Sequence, residues 1–118
     1  MIGNLFVRRA HWDDPKNRAP RDDHDMTDSM PYPFESVRRL FVDRYVMEIG
    51  PGRGLQYQDL KLTASFYALC DISPAALAEP VFDDADAKFA LDDYSDDYQV
   101  RVDIVHFWYV LYHVKVEE

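Results

Sequence analysis

The chain has 118 residues, room for one domain rather than two. Hydrophobic residues make up 47% and aromatic ones 14%, which excludes wholesale disorder, and no apolar stretch is long enough for a membrane helix. Acidic side chains outnumber basic ones, 22 to 13, and the net charge of −9 argues against a nucleic-acid phosphate binder, which needs a basic face.

Residues 1–33 read as a weakly structured N-terminal arm, and 34–118 as the folded domain. The short apolar run before Arg8 and Arg9 lacks the order of a signal peptide, so none is expected. From Asp13 to Asp25 the arm is polar, mixed in charge and broken by proline, the composition of a loop. Leu5, Phe6, Val7 and Trp12 are apolar enough to dock part of it. Asp22, Asp23, His24, Asp25 and Asp28 lack a second histidine at ligand spacing and read as a solvated acidic loop, so no metal site is expected. Pro31-Tyr32-Pro33 punctuates the chain. Phe34, Val37, Leu40 and Phe41 then recur at helical spacing and predict an amphipathic helix over about 34–43.

Tyr45-Val46-Met47-Glu48-Ile49 is a short apolar run with one acid, the pattern of a buried parallel strand. It enters Gly50-Pro51-Gly52-Arg53-Gly54, and a helix is predicted from Leu55 to Leu62. Phe66 to Cys70 is a second strand, ending at Asp71. Cys70, the single cysteine, falls at a buried strand end and is expected to be inert; with no partner for a disulfide, the expected compartment is the cytoplasm. Ser73-Pro74 has the form of an N-cap and first helical residue, opening a helix that Pro80 cuts short. Lys88 to Leu91 is a third strand running into Asp92-Asp93, and Val102 to Phe107 a fourth. Strands alternating with short helices predict an α/β fold with a parallel sheet and right-handed crossovers.

The glycine loop is the first chemical signal. Glycines permit positive φ and let the backbone approach a ligand with no Cβ in the way. A helix start behind such a loop offers N–H groups to a polar ligand. The spacing is not that of a phosphate-cradling loop, because no lysine follows. Nor is it the dinucleotide fingerprint, because Leu55 stands where the third glycine belongs, which disfavours a nicotinamide enzyme. The pattern is Glu48-x-Gly50-x-Gly52-x-Gly54. It reads either as a ligand loop or as a tight strand-to-helix turn. Asp71, ending the next strand, is suited to accept hydrogen bonds from two vicinal ribose hydroxyls, or to cap the following helix.

Tyr45-Val-Met-Glu-Ile-Gly-Pro-Gly-Arg-Gly54 resembles motif I of class I S-adenosylmethionine-dependent methyltransferases. Leu69-Cys-Asp71-Ile-Ser-Pro resembles that family's acidic second strand end, and Phe89-Ala-Leu-Asp92 its third strand and following acid. The segment from Val102 to Val114, with Asp103 opening the strand and His113 closing the next turn, is similar to its fourth-strand pattern. The resemblance covers residues 45–114 and implies a Rossmann-like sheet of four strands in the order 3-2-1-4, incomplete beside the family's seven.

That resemblance also implies roles. Glu48 would orient the loop and the amino group of the cofactor, S-adenosylmethionine. Gly50, Gly52 and Gly54 would pack against its methionine and ribose portion. Asp71 would hold the ribose hydroxyls, Ile72 would lie against adenine, and Asp92, preferred over Asp93 by register, would face the exocyclic amine. His106 and Phe107 would approach the reacting methyl. His113 and His106 are the candidate general bases, with Tyr109 behind them; His113 reads equally as a residue that caps or fills the helix after strand four, and His106 more readily as a core or wall residue. The Asn/Asp-Pro-Pro-aromatic sequence of the family's base-amine methylating members is absent, which points to a small-molecule acceptor rather than a nucleic acid. The expectation is a methyltransferase or its cofactor-binding part. The alternative is an inactive binding or interaction module that completes its sheet through the exposed strand-four edge, with a second copy or a partner.

Overall fold

A computed structural model describes residues 9–18, 34–91 and 101–107. In chain order the elements are helix α1 (9–13), α2 (Pro15–Arg18), α3 (Phe34–Val37) with a 3-10 turn over Arg38–Phe41, β1 (Tyr45–Ile49) and α4 (Leu55–Leu60). There follow β2 (Phe66–Asp71), α5 (Pro74–Leu77), a 3-10 turn over Pro80–Phe82, β3 (Ala87–Ala90) and β4 (Ile104–His106). All four strands are parallel, in the order β3-β2-β1-β4. This is the α/β, Rossmann-like arrangement read from the sequence. Among the described residues, no helix is long and apolar enough to cross a membrane.

Register decides which side chains meet. Val46 lies beside Tyr67 and Ile104, and Glu48 beside Leu69 and His106. These six residues therefore share one face of the sheet. Helix α4 covers that face with Tyr57 and Leu60, joined by Phe41, Leu77 and Phe82. Tyr57 meets the rings of Tyr67 and Phe82 edge-on, at 5.2 and 5.3 Å between centroids. On the opposite face Tyr45 stacks on Phe66 at the amino end of the sheet, and Tyr45 remains half exposed. β2 is buried on both faces through its middle, as its uninterrupted apolar run requires.

Two predicted helices come out differently, and so does the arm. The amphipathic segment at 34–43 is one α turn followed by a 3-10 turn, which buries Phe41 and leaves Leu40 exposed. The helix after the glycine loop stops at Leu60 rather than Leu62, and Leu62 is exposed. The arm contains two helices where a loop was expected. Asp14 accepts a hydrogen bond from the Lys16 N–H at 3.0 Å, and Pro15 occupies the first position of α2, where a missing N–H costs nothing. The other arm features, Pro31-Tyr32-Pro33 and the acidic loop at 22–28, lie outside the described residues.

Candidate functional site

The carboxyl ends of β1 and β2 lie side by side, because Ile49 pairs with Cys70 and the Gly50 N–H donates to the Cys70 carbonyl at 2.8 Å. The glycine loop and Asp71 thus leave the sheet at adjacent points. Gly50, Gly52 and Gly54 all take positive φ, at 65°, 58° and 80°. The Gly54 N–H closes the turn on the Pro51 carbonyl at 2.9 Å.

The glycines at the end of this loop do different work. A Cβ on Gly54 would sit 2.8 Å from Cε1 of the buried Phe82 ring, so this glycine serves packing as well as backbone conformation. A Cβ on Gly52 would meet nothing within 4 Å, and the residue is exposed. The loop therefore has open space at Gly52, which is what a close approach by a ligand requires.

Asp71 is half-buried, and its Oδ1 accepts from the Ser73 N–H at 3.0 Å, a bond that shapes the turn into α5. Ser73 is the N-cap of α5 as predicted: its hydroxyl accepts from the Ala76 N–H at 3.0 Å. The same hydroxyl donates to Asp13 of α1, and Arg9 Nε donates to the Ile72 carbonyl at 2.9 Å. Helix α1 is thereby fastened to the Asp71-Ile72-Ser73 turn across some sixty residues of sequence.

Glu48 and His106 occupy the core face. Glu48 is only 1% exposed, and His106 9%. The Tyr67 hydroxyl stands between them, 2.6 Å from Glu48 Oε1 and 2.9 Å from His106 Nε2. The two outer groups are 3.7 Å apart. The His106 ring also lies 4.9 Å from that of Phe41, in an edge-on contact. Burial pushes the Glu48 carboxyl up to about 7, against the opposing effect of the Tyr67 bond. Burial likewise pushes His106 down to about 4, and raises the Tyr67 hydroxyl beyond any working pH. His106 is therefore neutral near pH 7, and its approach to Glu48 is not an ion pair. Burial also pushes the Cys70 thiol up to about 11, in keeping with an inert core cysteine.

The structure thus brings together Glu48, Gly50, Gly52, Gly54, Asp71, Ile72 and His106 at the carboxyl ends of β1, β2 and β4. Asp92, Asp93, Tyr109 and His113 lie outside the described residues. Tyr67 is the residue that sequence reasoning passed over. Its signal was a tyrosine inside an otherwise apolar strand, whose hydroxyl needs a buried partner. Among the described residues, no group of three or more histidine, cysteine or acidic side chains could hold a metal ion. Comparison with known protein families, with curated proteins and with solved structures finds no match to this chain.

Proposed function

We propose that the chain binds S-adenosylmethionine at the carboxyl ends of β1 and β2, and that it acts as a methyltransferase on a small-molecule acceptor or as the cofactor-binding part of one. The observation that carries this reading is the juxtaposition of an open glycine loop with a carboxylate on the adjacent strand end. A parallel sheet binds its ligands there. Gly52 leaves room for a ligand to lie against the loop backbone, and Asp71 supplies an acceptor pair for vicinal hydroxyls. Ile72 follows at once and offers an apolar surface to a purine ring.

Bound S-adenosylmethionine supplies an activated methyl on a sulfonium, so the chain's task is chiefly positioning. The glycine loop fixes one end of the ligand and Asp71 the other. His106 is placed as a wall of the core, its Nε2 committed to Tyr67. The variants Asp71→Asn and Gly52→Val test the reading. Asp71→Asn retains an oxygen for the Ser73 N–H but loses the charge, and should weaken S-adenosylmethionine about 10-fold, the worth of roughly one charged hydrogen bond. Gly52→Val closes the open space and should abolish binding. Parent-like affinity in both, with parent-like amide spectra, would overturn the site.

A second reading is favoured by one observation. β4 is the edge of the described sheet, and Val105 within it and Phe107 just after it are 52% and 43% exposed. On that reading the chain is a binding module that completes its sheet with a second copy. Sedimentation across a concentration series separates the two: a monomer at every concentration counts against the module.

A further inference from the structure

A second cleft lies at the amino end of the sheet, opposite the glycine loop. One wall is the segment leading into β1, with Arg38, Arg39 and Val42. The other is the end of α4 and the turn into β2, with Asp59, Leu62 and Thr63. Two contacts pin the walls together: Arg38 Nε stands 2.9 Å from Asp59 Oδ2, and the Asp43 N–H donates to the Thr63 carbonyl at 2.9 Å. The cleft between them has a volume of about 660 Å³, within the range that takes a ligand or a short run of side chains.

Its chemistry is aliphatic and locally basic. Leu62 is 81% exposed, and Val42 on the other wall is exposed too, as is Leu40 beside Arg39 in sequence. Both leucines fit the helical period that marks core positions, yet the fold leaves them in water. Arg38 is matched by Asp59, whereas Arg39 is exposed and has no ion-pair partner among the described residues. Asp43 and Arg44, which follow Val42, are exposed and carry opposite charges. The cleft therefore keeps one uncompensated positive charge on a chain whose net charge is −9. Exposed charges more than about 10 Å away are screened at physiological salt, so this local balance decides what docks. A small-molecule site buries most of its ligand, whereas aliphatic side chains left this open around a cation suit a protein segment.

We propose that this cleft docks a short extended segment of a partner protein, in which an aliphatic side chain and a carboxylate stand two residues apart. Such residues lie on one face of an extended chain. The aliphatic side chain covers Leu62 and Val42, and the carboxylate pairs with Arg39 and accepts from the Thr63 hydroxyl. The site is at the far end of the sheet from the glycine loop and does not depend on what that loop binds.

Amide spectra of the full chain, titrated with a blocked serine-leucine-serine-aspartate-serine peptide, test it directly. The signals of Arg39, Val42, Leu62 and Thr63 should shift saturably, with roughly millimolar affinity, while those of the glycine loop stay in place. The same peptide with lysine in place of aspartate should bind about 5-fold more weakly, the worth of one exposed ion pair. Arg39→Glu should reverse that preference. Leu62→Ser, at a position packed against nothing in the core, should weaken the aspartate peptide about 10-fold. No saturable shift at about ten times the expected affinity, or equal binding of both peptides to the parent, would overturn the proposal. So would cleft shifts that grow on concentrating the chain alone, which would assign this face to a second copy.

Discussion

Glu48 and His106 shift in opposite directions for one physical reason: each is buried, and burial favours the neutral form. Glu48 has a folded value of about 7, above its ordinary 4.5, so its contribution to stability is full below pH 4.5 and is lost as pH rises through 7. His106 has a folded value of about 4, below its ordinary 6.5, so its contribution is full above pH 6.5 and is lost as pH falls through 4. Between pH 4.5 and 6.5 the two slopes cancel. Folding there moves a proton from the histidine to the glutamate without net uptake. His106→Phe removes one slope. The stability of the parent relative to this variant should rise by about 1.4 kcal/mol per pH unit between pH 4 and 6.5, as urea titrations would show. A difference independent of pH would mean that His106 titrates normally in the fold. None of this was legible in the chain alone. Glu48 and His106 were both visible as candidates, but their meeting depends on the β1–β4 register, and Tyr67 reaches them from a diagonal position on β2.

The elements themselves were largely legible. β1 was read with its observed bounds, and β2 to within one residue, because short apolar runs bounded by glycine, aspartate and serine leave little choice. Ser73-Pro74 was read as a cap and is one. Helix lengths were overestimated, because apolar residues at helical spacing do not say how far packing extends: Leu40 and Leu62 fit the period yet stay exposed. Helix α1 was missed because its anchors, Ile72 and Ser73, lie far along the chain. Within the glycine loop, sequence treats Gly52 and Gly54 alike, whereas packing separates them. Gly54→Ala should lose about 1–3 kcal/mol, from a Cβ driven toward Phe82 and from an L-residue held at φ 80°. Gly52→Ala meets no neighbour and bears only the backbone strain, so it should cost less in thermal unfolding. Equal losses would show that Phe82 gives way.

At the scale of the whole molecule, alternation of strands with short helices led to the all-parallel pairing and the resemblance to the 3-2-1-4 order, and the structure has both. The same topology gathers the glycine loop, Asp71 and the α1 contacts at one end of the sheet, while the Glu48–Tyr67–His106 unit lies beneath them in the core. The proton-bearing residues are thus held out of solvent. The central claim is that the chain takes S-adenosylmethionine at that end. Calorimetric titration of the full 118-residue chain with S-adenosylmethionine and S-adenosylhomocysteine tests it most directly. The account predicts a single site of roughly micromolar affinity, about −8 kcal/mol, for at least one of them. No heat and no competition from either ligand, in a chain whose amide spectrum shows it folded, would contradict the account and leave the glycine loop as a strand-to-helix turn.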